Sequence, residues 1–313
     1  MIKTILFTDT HFGVKQNSLT WLNSQLDFIY KQLIPYIKSL KEDVDIICLG
    51  DVFDSRSSIS TMVATKIVEA FTELRSVVNK FIIIAGNHDY YSPNSSEIDT
   101  LSLVFKNLDI KLITNGITID GDSIYVPWYS WGDDIIQDVI YQRNIKRIFT
   151  HADIVNEAVK YKHVDIFSGH IHIPSLKPGL YNLGSCYSLN FADANQERGF
   201  YVIDDDNIEF ILNKESIRFW RLYNGDIFKD FNHIKNQDYI EVYVDKSNLL
   251  DINYQDRLNI LNKEYKNIWV IPQTNDSIIE NEIFEGYDMN NIISNMIPDE
   301  LKDKFNKILE RYE

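Results

Sequence analysis

Short apolar runs alternate with amphipathic stretches through the first two-thirds of the chain. Ile2–Thr8, Val44–Leu49, Phe81–Ala85, Ile145–Thr150 and Val164–Ser168 are brief and rich in Ile, Val and Phe. Each ends in a polar turn or a histidine, which predicts buried strands. Between the first two, Leu19, Leu22, Leu26, Ile29, Leu33 and Ile37 recur at helical spacing, with Pro35 expected to kink or break that helix. Ser60 is placed to cap the next helix, which should run to about Val78. Strands alternating with helices imply a layered α/β domain with a largely parallel centre. After about Ser216 the pattern changes. A strand at Tyr239–Val244, a helix from about Tyr254 to Lys263 and a strand at Ile268–Ile271 predict a small separate α/β unit. Beyond Asp288 two short amphipathic helices are expected, separated at Pro298. Ile292, Ile293, Met296 and Ile297 lie on the first, and Leu301, Phe305, Ile308 and Leu309 on the second.

With 44% hydrophobic and 25% charged residues in 313, the make-up is ordinary for a globular chain, and the length suits one large domain plus a smaller one. Cys48 and Cys186 are the two cysteines, so no disulfide framework is readable. Cys48, in an apolar run, is expected to pack as a small hydrophobe, and a reducing, cytoplasmic setting follows. The amino terminus has no long apolar core, and no stretch approaches the roughly 20 apolar residues that span a bilayer, which argues against a signal peptide and a membrane segment. Neither GxGxxG nor GxxxxGKS/T occurs, so nothing suggests dinucleotide or P-loop ATP binding. A net charge of −15 is unfavourable for a protein that meets DNA. The acidity is uneven, however. Residues 1–200 carry 18 Lys and Arg against 23 Asp and Glu, a net of −5, and residues 201–313 carry 13 against 23, a net of −10. Two divalent cations would bring the first part close to neutral.

Five polar clusters stand where strands are predicted to end: Asp9-Thr10-His11, Gly50-Asp51-Val52-Phe53-Asp54, Gly86-Asn87-His88-Asp89, His151, and Gly169-His170-Ile171-His172. The carboxyl ends of strands in an α/β sheet form one rim, where ligands bind, so these clusters should converge. Five of the seven histidines lie in them, a concentration that chance does not produce. Asp, neutral His and an Asn carbonyl suit mid-row divalent ions such as manganese, iron or zinc, and the scarcity of Cys argues against structural zinc. Asp51 is expected to bridge two ions with its two oxygens. Two ions about 3.5–4 Å apart polarise a phosphate and activate water for in-line attack. Taken singly the motifs are weak. DxH reads equally as a turn with a satisfied histidine, GNHD as a hairpin turn, and His151 alone carries no information. His163 and His233, outside the clusters, read as ordinary surface residues. All five in order specify metal phosphoesterase chemistry far better than they specify a substrate.

In this order the residues resemble the five signature motifs of the calcineurin-like metallophosphoesterases, over about residues 1–203. Finer features are similar to the SbcD-type branch of break-repair and phage recombination nucleases. They are the extension from Asp9 to Gly13 and Lys15, the run Gly50 to Arg56, Val126-Pro127-Trp128, and Gly184-Ser185 through Arg198-Gly199-Phe200. The resemblance implies an α/β fold: a layered metallophosphoesterase β-sandwich flanked by helices over 1–215, a small α/β capping, DNA-binding domain over 216–286, and C-terminal helices over 287–313. It implies one ion held by Asp9, His11, Asp51 and His172, and a second by Asp51, Asn87, His151 and His170; four histidines among these ligands make manganese the expected metal. His88 would stabilise the charged transition state or protonate the leaving oxygen, and Asp54 would hold His88 in the right tautomer. Asp89 would form a turn. Lys15, Arg56, Tyr90 and Arg198 are the further candidates for contacting DNA. An SMC-like coiled-coil ATPase of the SbcC type would dock on the C-terminal helices, and the chain would form a homodimer. The implied activity is manganese-dependent hydrolysis of phosphodiester bonds in DNA. The competing readings on this fold are a phosphomonoesterase or protein phosphatase, a nucleotide phosphodiesterase, and a non-catalytic scaffold. Serine/threonine phosphatases continue the second motif with Arg-Gly where this chain has Ser55-Arg56-Ser57, and the full ligand set speaks against a scaffold.

Overall fold

The computed structural model describes residues 2–92, 94–131, 136, 139–140, 143–154 and 163–273. Two six-stranded sheets form the body. In the first, β1 (Lys3–Phe7), β2 (Val44–Cys48), β3 (Lys80–Ile84) and β6 (Lys111–Ile113) run parallel. There β13 (Gly199–Asp204) and β14 (Asn207–Leu212) extend the sheet antiparallel, in the order β14-β13-β1-β2-β3-β6. In the second, β8 (Ser123–Val126), β9 (Arg147–Thr150), β10 (Asp165–Ser168) and β12 (Leu180–Asn182) run parallel. Antiparallel β7 (Thr118–Asp120) and β11 (Ser175–Lys177) form its edges, in the order β11-β12-β10-β9-β8-β7. A two-stranded hairpin, β4 (Tyr90–Ser92) with β5 (Ser95–Asp99), follows the third polar cluster.

The period of two along each strand sorts side chains between layers. Leu6, Ile47, Ile82 and Ile84 of the first sheet share a core with Tyr125, Phe149 and Phe167 of the second, whose rings stack at 5.5 and 5.4 Å. Their neighbours Ile5, Phe7, Ile46 and Cys48 turn to the opposite face and pack with Leu22, Leu26, Ile67 and Phe71 of two covering helices. Cys48 is fully buried, as expected of a small hydrophobe.

Of those helices, Thr61–Ser76 begins where expected, with the Ser60 hydroxyl oxygen accepting the Val63 N–H at 3.2 Å. The other was expected to kink or break at Pro35. Pro35 does not break it: Leu19–Asp27 passes through a π-helical turn, Phe28–Leu33, into Ile34–Leu40, with Pro35 in the first turn of the last segment. The wider turn accommodates a ring and a missing N–H that a regular α-turn would not.

In the small C-terminal unit β15 (Phe219–Tyr223) pairs parallel with β16 (Tyr239–Asp245), and β17 (Asn267–Gln273) completes a three-stranded sheet. Leu258 and Leu261 of the helix Ile252–Glu264 join Leu222, Ile240, Val242 and Val244 in its core. On the other side Trp21 stacks on Phe219 and Tyr239 at 5.7 and 5.8 Å, so this sheet is seated on the helix Leu19–Asp27. Residues 1–271 form one compact unit. The two helices expected after Asp288 lie outside the described residues. No helix among the described residues is long and apolar enough to cross a membrane.

Candidate metal centre

Asp9 and His11 follow β1, Asp51 follows β2, Asn87 and His88 follow β3, His151 follows β9, and His170 and His172 follow β10. The two sheets thus deliver all five clusters to one place. The turns that do so are strained: Asp9, His11, Asp51 and His170 have left-handed backbones, with φ of 53°, 40°, 49° and 75°. Such a conformation costs a non-glycine residue roughly 1–2 kcal/mol. Hydrogen bonds hold it, from the Asp9 N–H to the Gly50 carbonyl and the His11 N–H to the Asp51 carbonyl, each 3.0 Å. Packing leaves no room for side chains at two motif glycines. A Cβ on Gly86 would run into Asp51, and one on Gly169 into the Thr8 hydroxyl.

Asp9 Oδ2 accepts the Thr8 hydroxyl at 2.8 Å and the His170 N–H at 3.2 Å. Its Oδ1 is buried without a hydrogen-bond partner among the described residues, 3.8 Å from His11 Nε2 and 3.6 Å from His172 Nε2. Those two ring nitrogens are 3.1 Å apart. In the second set, His151 Nδ1–H donates to the Leu49 carbonyl at 2.7 Å. A carbonyl only accepts, so the contact fixes the proton on Nδ1 and leaves Nε2 as the ring nitrogen facing Asp51 Oδ2 at 3.3 Å and Asn87 Oδ1 at 3.2 Å. His170 Nδ1 stands 3.0 Å from the same Asn87 oxygen. Asp9, His11 and His172, and separately Asp51, His151 and His170, offer ligand atoms within 4.8 Å of one another.

Asp51 stands between the two sets. Its Oδ2 alone faces both, 3.7 Å from His11 Nε2 and 3.3 Å from His151 Nε2. Its Oδ1 is occupied by the His88 backbone N–H at 2.8 Å.

Burial raises the Asp51 carboxyl, but the charges of His151 and His11 outweigh it and hold the group below the usual carboxylate range. Burial likewise disfavours charge on His151, yet Asp51 and then Asp9 raise it to about 9. His170 and His172 are lowered, chiefly by burial. Four imidazoles, an orphaned carboxylate oxygen and a shared one fit two divalent ions, which would replace the protons that balance Asp9 and Asp51.

Residues 2–174 match the sequence profile of the calcineurin-like phosphoesterases. The chain belongs to that family. It is therefore a hydrolase of phosphate esters. Over 266 residues it is 26% identical to Exonuclease subunit 1 of Enterobacteria phage T4, a match covering 74% of this chain and 75% of that protein. Over 130 residues it is 31% identical to the DNA double-strand break repair protein Mre11 of Saccharolobus solfataricus, covering 39% of this chain and 33% of that protein. These likenesses lie in the DNA-repair nuclease branch of the family.

Around the candidate ligands of this phosphoesterase, Lys15, Asp54, His88, Leu189 and Asn190 help line an open cleft of about 250 Å³. His88 Nδ1–H donates to Asp54 at 2.7 Å, but the acceptor is the Asp54 backbone carbonyl and not the expected carboxylate. The carboxylate instead faces His11 Nδ1 at 3.7 Å. Lys15 is in the cleft, as a substrate contact requires, whereas half-buried Arg56 does not line it. Tyr90 and Arg198 are corrected. Tyr90 is fully buried and its hydroxyl donates to the Thr114 carbonyl at 2.7 Å. Arg198 is 4% exposed and engaged by protein groups. His163 and His233 are exposed.

The sequence reading missed Gln25, whose Nε2 donates to the Thr10 carbonyl at 2.7 Å and the His11 carbonyl at 3.0 Å. The signal was there: an amide set among Leu22, Leu26 and Ile29 on the apolar face of a helix. Trp128, noted only as part of a motif, lies tilted against the His170 ring at 4.6 Å.

Proposed function

We propose that the protein is a manganese-dependent DNA nuclease that hydrolyses phosphodiester bonds by two-metal chemistry, as the nuclease subunit of a complex with an SMC-like coiled-coil ATPase of the SbcC type. The observation that carries this reading is the single Asp51 oxygen standing between two sets of imidazole and carboxylate donors in an open cleft. Likeness to a phage exonuclease subunit and to Mre11 directs it to DNA. Two divalent ions held there would neutralise phosphate charge and lower the pKa of water. The chain's own groups do the rest. Donation from Nδ1 to the Asp54 carbonyl makes Nε2 the ring atom of His88 that exchanges a proton, suited to protonating the leaving oxygen. The Asp54 carboxylate steadies His11. Lys15 and, from outside the cleft lining, Arg56 are the cations for the DNA backbone. Four histidines among the ligands favour manganese over magnesium, which prefers oxygen and water. In this reading 216–286 caps the nuclease domain of 1–215, two copies pair, 287–313 dock the ATPase, and the complex works in the cytoplasm.

The test uses metal-free protein on labelled single-stranded and duplex DNA and on a phosphomonoester, with manganese or magnesium, with and without the ATPase. Manganese-dependent cleavage of DNA, stimulated on duplex by the ATPase, is expected. Full activity in magnesium free of trace manganese would remove the metal assignment. Preferential hydrolysis of the phosphomonoester would remove the nuclease assignment. A chain ending at Gly286 should keep weak cleavage and no longer co-purify with the ATPase.

A further inference from the structure

Among the candidate ligands of the first set, His172 is the most weakly seated. Its side chain is 33% exposed, whereas those of Asp9 and His11 are 0% and 4%. Asp9 is fixed by the Thr8 hydroxyl and His151 by the Leu49 carbonyl, whereas the hydrogen-bond contact of the His172 ring is with another candidate ligand, His11 Nε2, at 3.1 Å. Apart from that contact, its backbone carbonyl is held, accepting the Ser185 N–H at 3.1 Å and the Arg198 Nη1–H. Arg198 in turn donates from Nη2 to Asp193 Oδ1 at 2.5 Å and to Gln196 Oε1 at 2.8 Å. The other Asp193 oxygen accepts the Leu189 N–H at 2.8 Å and the Asn190 N–H at 3.4 Å, and both residues line the cleft. Arg198 and Asp193 are 4% and 3% exposed.

We infer that Arg198, with Asp193, is a positioning residue that sets His172 for metal binding and ties it to the rim of the cleft. A planar guanidinium reaches a carbonyl and a carboxylate at once with little freedom, which a flexible ammonium does not. Burying such a pair gains little stability by itself, so its placement beside a ligand's backbone is what it contributes. The inference rests on the metal centre proposed above.

Arg198→Lys keeps the charge beside Asp193 and loses the fork. Manganese binding is followed by calorimetry and by the electron paramagnetic resonance of a coupled manganese pair, with urea unfolding as the fold control. Wild type should take up two ions and show the coupled spectrum. The variant should keep one tight ion, at Asp51, Asn87, His151 and His170, and bind the second about 10–100-fold more weakly. The coupled signal should return at high manganese, which a general loss of structure would not allow. Asp193→Asn, close in shape, should weaken the same ion and decides the matter if Arg198→Lys does not fold. Two ions bound with wild-type affinity in the folded variants would overturn the inference and leave the metal centre intact. A wild-type chain that binds no manganese would overturn both.

Discussion

Asp89 stays out of both ligand sets, yet its carboxylate gathers three backbone N–H groups: Val52 at 3.0 Å, Phe53 at 3.2 Å and Gly86 at 2.9 Å. It thereby joins the turn that carries Asp51 to the turn that carries His88. Burial, then the charge of Asp51, pushes its carboxyl up to about 7 against those donors. Asp89→Asn preserves shape but sets an amide NH2 against either Gly86 or the Val52 and Phe53 pair, so donor faces donor. The expected cost is about 1–3 kcal/mol, read as a lower urea midpoint; an unchanged midpoint would mean that the turns accept the amide. His88→Ala, by contrast, should bind two manganese ions and turn over no DNA, while Asp51→Ala should lose metal, because it removes the oxygen common to both sets. Elemental analysis separates the two, and loss of both ions from His88→Ala would refute the role given to it. At this scale the sequence was informative where chemistry has a letter. Asp9, His11, Asp51, Asn87, His151, His170 and His172 could be read from residue type and place at strand ends. The partners that fix His88 and His151 could not, because each is a backbone carbonyl, of Asp54 and of Leu49, which any residue supplies.

Secondary elements were most legible where a buried strand makes an unbroken apolar run. β1, β2, β3, β9 and β10 lie inside their sheets and read as apolar runs. Edge strand β11, Ser175–Lys177, is exposed throughout and offers no such run. β15 hides for a related reason, since Arg221 interrupts it while pairing with Glu241 on the neighbouring strand at 2.9 Å. The π turn is invisible to periodicity because Phe28, Ile29 and Leu33 remain buried through it. The helix Thr61–Ser76 shows what such burial is worth. Fully buried Phe71 stacks on Phe105 at 5.0 Å and meets Phe81 at 5.3 Å and Phe12 at 6.1 Å. Phe12 directly follows His11, so this aromatic cluster buttresses the turn that carries Asp9 and His11. Phe71→Ala should cost about 3–5 kcal/mol, from lost transfer energy and the cavity left behind. Denaturant unfolding measures this, and a loss below 1 kcal/mol would show that the helix closes over the gap.

Over the whole molecule, the net charge of −15 includes two carboxylates, Asp9 and Asp51, buried beside one another, and what balances them governs stability. Without metal the balance falls to protonated histidine. His151 rises from an ordinary value of 6.5 to about 9 in the fold, burial opposing and Asp51 prevailing. The folded chain therefore binds this proton more tightly than the unfolded chain does. The sign follows: the contribution is complete below about pH 6.5 and is lost as pH rises through 9. Metal acts oppositely. An ion needs the Nε2 lone pair that the proton occupies, so manganese affinity should climb across the same window, and binding that is confined to the folded state adds to stability as affinity grows. Chelator-stripped protein should thus lose thermal stability between pH 6.5 and 9, while manganese-loaded protein holds or gains, so that the difference in Tm between them widens with pH. Thermal unfolding of stripped and reloaded samples at several pH values in that range is the measurement. A difference that stays constant or narrows would mean that His151 and the metal do not compete for one nitrogen, and His151 would leave the ligand set.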